Sequence, residues 1–103
     1  MIDRIKNNVY DFVQPDASVI GGISAVMDVF VAATPLGTSV VVHAWGGAAA
    51  IMANYHTAFA AGGLLVEYPM FSFPLGAEMM EGQRKIFNGK LSRPSASGLG
   101  ISL

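Results

Sequence analysis

The sequence predicts an α/β fold in which short parallel strands alternate with helices. Three observations carry that prediction. Runs of β-branched and aromatic residues recur three times, at Val9–Gln14, Ser39–His43 and Leu64–Tyr68, each bounded by proline or glycine. The two intervals between them are long enough for crossover helices, the connection that parallel strands require. The first of those intervals also places apolar residues at helical spacing.

In chain order, Val9–Gln14 (VYDFVQ) reads as a first strand stopped by Pro15. Asp16 to Gly22, with Ser18 and two glycines, reads as a loop. A helix is expected over residues 22–35, its inward face formed by Ile23, Val26, Met27, Phe30 and Val31, and its end set by Pro35 and Gly37. Residues 39–43 form a second strand, whose unbroken Val40-Val41-Val42 run is the pattern of a strand buried on both faces. After Gly46-Gly47, residues 47–61 read as a helix rich in small residues, stopped by Gly62-Gly63. Residues 64–68 form the third strand, closed by Pro69. Each crossover is expected to be right-handed. The remainder, Met70 to Leu103, is punctuated by Pro74, Gly76, Gly89, Pro94, Gly98 and Gly100 and reads as irregular, apart from a short helix near Ala77 to Arg84.

Composition removes several classes of function. The 103 residues suffice for one domain. Hydrophobic residues make up 52%, which excludes intrinsic disorder, and charged residues only 13%. Six Lys and Arg against seven Asp and Glu leave a net charge of -1, with no basic stripe to neutralise phosphates, so no nucleic-acid partner is expected. With no cysteine, disulfide frameworks, thiol catalysis and cysteine-based zinc sites are excluded. Two charge-poor windows, Ala17 to Val42 and Ala44 to Val66, are long enough to span a bilayer. The first is interrupted by Gly21-Gly22, Asp28, Pro35 and Gly37, and the second by Asn54, His56 and Gly62-Gly63; neither is flanked by a Lys/Arg cluster. No membrane partner is therefore expected. The opening Met1 to Lys6 lacks the apolar core of a secretion signal, and a cytoplasmic location is the expectation.

The candidate chemistry sits at the strand ends. Asp16 follows the first strand, His43 ends the second and Glu67 lies near the end of the third. In parallel α/β folds the carboxyl ends of strands line the ligand crevice, so an acid, an imidazole and a second acid would converge there. An Asp bonded to one imidazole nitrogen fixes the tautomer and leaves the other nitrogen as a general base. Plainer readings stand beside this one. Asp16 after a proline suits a turn or a helix cap, and Glu67 suits a pair with a nearby Arg. Trp45 is either a pocket wall or core, His56 is a packed helix residue, and Asp28, Glu78, Glu81 and Arg84 are solvated helix-face charges.

Gln14-Pro15-Asp16-Ala17-Ser18-Val19-Ile20-Gly21-Gly22-Ile23 resembles the sixth-strand signature of the enolase superfamily, in its mandelate racemase and muconate lactonizing enzyme-like group. Twenty-seven positions after Asp16, Val42-His43-Ala44-Trp45-Gly46 is similar to the seventh-strand histidine segment. Twenty-four positions further, Leu65-Val66-Glu67-Tyr68-Pro69 is similar to the eighth-strand segment, and Leu91 to Leu103 to the terminal stretch. The resemblance implies a C-terminal fragment of a TIM-type (β/α) barrel: its last three parallel strands with intervening helices, plus an irregular tail. It implies a lyase or isomerase ancestry. His43 would remove a proton alpha to a carboxylate, Asp16 would orient it, Glu67 would hydrogen-bond the enediolate, and Trp45 and Gly46 would line the pocket. An acid-sugar dehydratase is the expected type, with a racemase or lactone cycloisomerase as the alternative, and a small carboxylate or acid sugar as substrate.

The resemblance also implies what is missing from this stretch. A whole barrel takes about 250 residues. Mg²⁺ in the family is held by carboxylates from the third, fourth and fifth strands, and the opposite-face lysine comes from the second. Neither those strands nor the N-terminal capping domain falls within these residues. No metal is expected to bind this chain alone, and the isolated chain is expected to be inactive. Three strands taken from a barrel leave two open edges, which pair readily with other chains. A homo-oligomer, in the limit a non-catalytic self-associating module, is the corresponding expectation.

Overall fold

The computed structural model of the protein describes residues 1–71 and 73–102. A short helix, α1 (Ile2–Lys6), leads into β1 (Phe12–Val13). Two helices follow, α2 (Ala17–Ile20) and α3 (Ile23–Ala33), the latter running into a 3-10 turn at Thr34–Leu36. Then come β2 (Ser39–Val42), α4 (Ala48–Ala61) and β3 (Leu65–Val66). The C-terminal part holds α5 (Pro74–Met79) and a hairpin of β4 (Ile86–Phe87) and β5 (Lys90–Leu91).

β1, β2 and β3 form one sheet in that order, all parallel. Phe12 lies opposite Ser39 and Val13 opposite Val40; Val41 lies opposite Leu65 and Val42 opposite Val66. The expected order of strand, helix, strand, helix, strand is thus the observed one. The strands themselves are shorter than expected at the two flanks, where, among the described residues, β1 and β3 each have a hydrogen-bonding neighbour on one side and β2 has one on both.

Side-chain alternation divides the sheet into two unlike faces. Val42 is buried beneath α3 and α4, in a core with Val26, Phe30, Ile51, Met52 and Tyr55, and Val13 is buried on the same face beside Ile5 of α1 and Val29 of α3. Phe12 and Leu65 point the other way and are 59% and 58% exposed. This corrects the expectation that β2 is buried on both faces: Val40 and Val42 face the core, but Val41, on the side of Leu65, is only partly covered, because among the described residues no layer packs on that second face. The inward face of α3 is likewise rotated from the predicted one. Val26, Val29, Phe30 and Ala33 are buried, whereas Ile23 and Val31 are exposed. α3 meets α1 as well as α4, and Val29 and Ala33 join Ile5 in a second small cluster.

The loop expected at Asp16 to Gly22 contains α2, with Asp16 as its N-cap and Gly21 ending it at φ +112°. The C-terminal helix starts three residues earlier than predicted and ends at Met79, since Pro74 is favoured in a first helical turn. Neither α1 nor the hairpin was anticipated. Asn88 and Gly89 both take positive φ between Phe87 and Lys90, the geometry of a two-residue hairpin turn for which an Asn-Gly pair is the sequence signal. From Ser92 onward no helix or strand forms among the described residues, yet Leu99 and Ile101 pack on the main core and the Ser102 amide donates to Met79 O at 3.0 Å. Leu103, the last residue of the terminal stretch compared above, and Ser72, within the tail, lie outside the described residues. Among the described residues no helix is long and apolar enough to cross a membrane.

Candidate active site

Parallel register brings the carboxyl ends of all three strands to one edge, and with them Asp16, His43 and Glu67. The strand pairing continues past the regular elements: the His43 amide donates to Pro15 O at 2.9 Å and the Glu67 amide to Val42 O at 3.4 Å. Each residue of the trio is therefore placed by backbone bonds to its neighbour. His43 Nδ1 and Asp16 Oδ2 are 2.7 Å apart. His43 Nε2 lies 3.9 Å from Glu67 Oε2. The three residues singled out from the sequence are brought together, and no intervening side chain separates the imidazole from either acid.

Asp16 is the anchor. It is buried, and its two oxygens do different work. Oδ2 meets His43, while Oδ1 accepts from the Ser18 amide at 2.8 Å, the Ser18 hydroxyl at 2.7 Å and Asn54 Nδ2 at 3.0 Å. Burial by itself would push this carboxyl up. The bonds from His43, Asn54 and Ser18 outweigh it and hold the carboxyl down, at about 2 against an ordinary 3.8. Asp16 is thus a helix cap and a histidine partner at once.

An ionised Asp16 can only accept, so His43 Nδ1 carries the proton and donates it. In the neutral ring Nε2 then keeps its lone pair, and the side chain that carries it is 40% exposed at the strand end. Glu67 is held from its own side. Its Oε2 accepts from the Ala44 amide at 3.0 Å, and its carbonyl accepts from the Tyr55 hydroxyl at 2.9 Å. No Arg pairs with the Glu67 carboxylate among the described residues: Arg84, expected on a solvated helix face, instead lies over the Tyr68 ring, 4.6 Å from its centre. Tyr55 is fully buried, and that burial pushes its phenol up to about 12.

Trp45 is a rim residue, not core. It is 48% exposed and meets Phe71 and Phe73 edge-on, with centroid separations of 6.0 and 5.3 Å. Gly46 follows at φ +102°, a conformation that favours glycine and turns the chain back into α4. His56 is half-buried within α4, on the packed side as expected. The residue the sequence reading missed is Asn54. It is fully buried on α4 and bonded to Asp16, and its only signal was an amide inside an otherwise small and apolar helix.

Mg²⁺ demands near-octahedral oxygen coordination. Among the described residues no three His, Cys, Asp or Glu side chains come together to hold a metal. Both oxygens of Asp16 and one of Glu67 are already committed to protein donors. The residues present do not fit Mg²⁺.

Parallel strands with helices on one face, and an acid–histidine–acid group at their carboxyl ends, define a protein of the (β/α)-barrel class. Within that class the chain belongs to the enolase C-terminal domain-like family, which it matches over residues 1–103. Its three-stranded sheet and crossover helices are the architecture of the C-terminal part of an enolase-type barrel. A search of curated proteins returns no match to the chain.

Proposed function

We propose that this chain supplies the proton-transfer half of an enolase-superfamily active site, with His43 as the base that removes a proton alpha to a carboxylate. The observation that carries the reading is the 2.7 Å bond between His43 Nδ1 and an Asp16 carboxylate that stays ionised. In the neutral ring it leaves Nε2 as the lone-pair nitrogen, partly exposed and 3.9 Å from a second acid. In the proposed step the substrate Cα–H proton passes to Nε2, and Asp16 stabilises the resulting imidazolium. Glu67, on the Nε2 side of the imidazole, hydrogen-bonds the enediolate. For an acid sugar, the imidazolium then returns the proton to the departing β-hydroxyl, which leaves as water. An acid-sugar dehydratase is the reaction type that uses both halves of this cycle. A racemase or cycloisomerase would use only the first. No step here runs through a metal, and the isolated chain is proposed to be inactive.

Grafting residues 1–103 behind the earlier barrel strands of an acid-sugar dehydratase tests the reading. The graft should exchange the substrate α-proton in D₂O, and His43→Ala should slow that exchange by about 10³-fold. A graft that exchanges equally well without the imidazole would refute the role given to His43.

The open face of the sheet favours a second role for the chain by itself. Phe12 and Leu65 are exposed, and among the described residues the outer edges of β1 and β3 have no strand partner. We infer self-association of copies through that face. Sedimentation velocity at micromolar concentration should show a species larger than 10.8 kDa, and a compact monomer would refute it.

A further inference from the structure

We propose that Asn54 is a positioning residue that sets the direction of proton donation along the chain Ala17–Asn54–Asp16–His43. The inference rests on the reading of His43 as a base and adds to it the group that holds the Asp16 carboxylate, on which the tautomer depends, in place. Asn54 is fully buried and bonds at both ends of its amide. Its Oδ1 accepts from the Ala17 backbone amide at 2.9 Å, and its Nδ2 donates to Asp16 Oδ1 at 3.0 Å.

The order of those bonds is forced from one end. A backbone N–H only donates, so the amide oxygen of Asn54 must face Ala17. The amide nitrogen is then turned towards Asp16, and it too only donates. Asp16 Oδ1 must accept, and it already accepts twice from Ser18. A carboxylic acid proton has no place on that oxygen. Rotating the amide by half a turn would set oxygen against oxygen and N–H against N–H, so the buried side chain has one orientation. Ser18 comes from the same turn as Asp16, and it moves with it. Asn54 comes from α4, so besides His43 it is the side chain that fixes the Asp16 carboxylate against another element. A primary amide also does not titrate in the working range, so the donor is constant where a Lys or His would not be.

The test is nitrogen-15 NMR of the two histidines in the full chain, read above the imidazole titration. In the unmodified protein His43 is expected as the Nδ1–H tautomer. Asn54→Leu removes both bonds and should shift His43 towards the Nε2–H form, while the His56 signals, on the same helix, keep their positions. Asn54→Asp keeps an acceptor for Ala17 but has no permanent donor. It should hold the Nδ1–H form only while the paired carboxyls share a proton, and lose it as pH rises. A third readout needs no substitution: the Asn54 side-chain amide should exchange with solvent at least about tenfold more slowly than those of Asn7 and Asn88. Unchanged His43 signals in either variant, or an Asn54 amide that exchanges as fast as the exposed ones, would overturn the proposal. If the unmodified protein shows no Nδ1–H tautomer at all, the reading of His43 and Asp16 fails instead, which keeps the two failures distinct.

Discussion

The two faces of the one parallel sheet are built from the same residue types and meet opposite fates. On one face Val42 is sealed against fully buried side chains such as Ile51 and Tyr55, and Val13 against Ile5 and Val29. On the other, Phe12 and Leu65 stand open beside Val41. The covered face supplies the stability, and the strand ends carry the acid–histidine–acid group. A valine in β2 or a leucine in β3 does not itself record which face it will meet; that depends on what packs above it.

The largest expected contrast follows directly. Ile51→Ala on the covered side removes a fully buried side chain and should lower unfolding free energy by about 3 kcal/mol. Leu65→Ser on the open face should change it by less than about 0.5 kcal/mol, while weakening self-association. Urea denaturation of both variants at dilute concentration checks the pair, and equal losses would erase the distinction.

The next effect concerns pH and is confined to the strand ends. The folded protein keeps the Asp16 carboxyl ionised down to about 2, whereas the unfolded chain takes up a proton near 3.8. Between those values the unfolded state binds more protons, so stability is present above about pH 4 and is lost as pH falls towards 2. The loss amounts to about 2 kcal/mol. Asp16→Asn should remove that acid limb from a urea midpoint measured against pH, and should lower stability at neutral pH by a similar amount.

A smaller effect probes where the covered face is tightest. A Cβ on Gly63 would lie 3.2 Å from Ala58 O and 3.3 Å from the Phe30 ring. Gly63→Ala should therefore cost about 1 kcal/mol through crowding between α4 and α3. The same change at Gly47, where a Cβ would meet nothing within 4 Å, should be close to neutral. Thermal denaturation of the two variants side by side gives the comparison.

Much of this arrangement was legible in the residues. The strand order and the placing of Asp16, His43 and Glu67 followed from where β-branched runs stop, since parallel register carries equivalent positions to one edge. The faces were not legible. Val40-Val41-Val42 has the composition of a doubly buried strand, and the lack of a second layer among the described residues leaves its Val41 side half open. α2 was hidden because Gly21-Gly22 reads as a loop, although Asp16 with Ser18 is a cap at its start. The Asn88-Gly89 turn was available as a signal and was passed over as irregular. Asn54 was beyond sequence reasoning: its partner is Asp16, far along the chain, and one amide in an apolar helix does not say what it faces.

The account turns on the state of one imidazole, and histidine nitrogen-15 shifts report it most directly. At a pH where the ring is neutral, His43 should carry its proton on Nδ1, with Nε2 unprotonated, and Asp16→Asn should abolish that preference. A neutral His43 protonated on Nε2, indifferent to the loss of the Asp16 carboxylate, would contradict the assignment of this residue as the base.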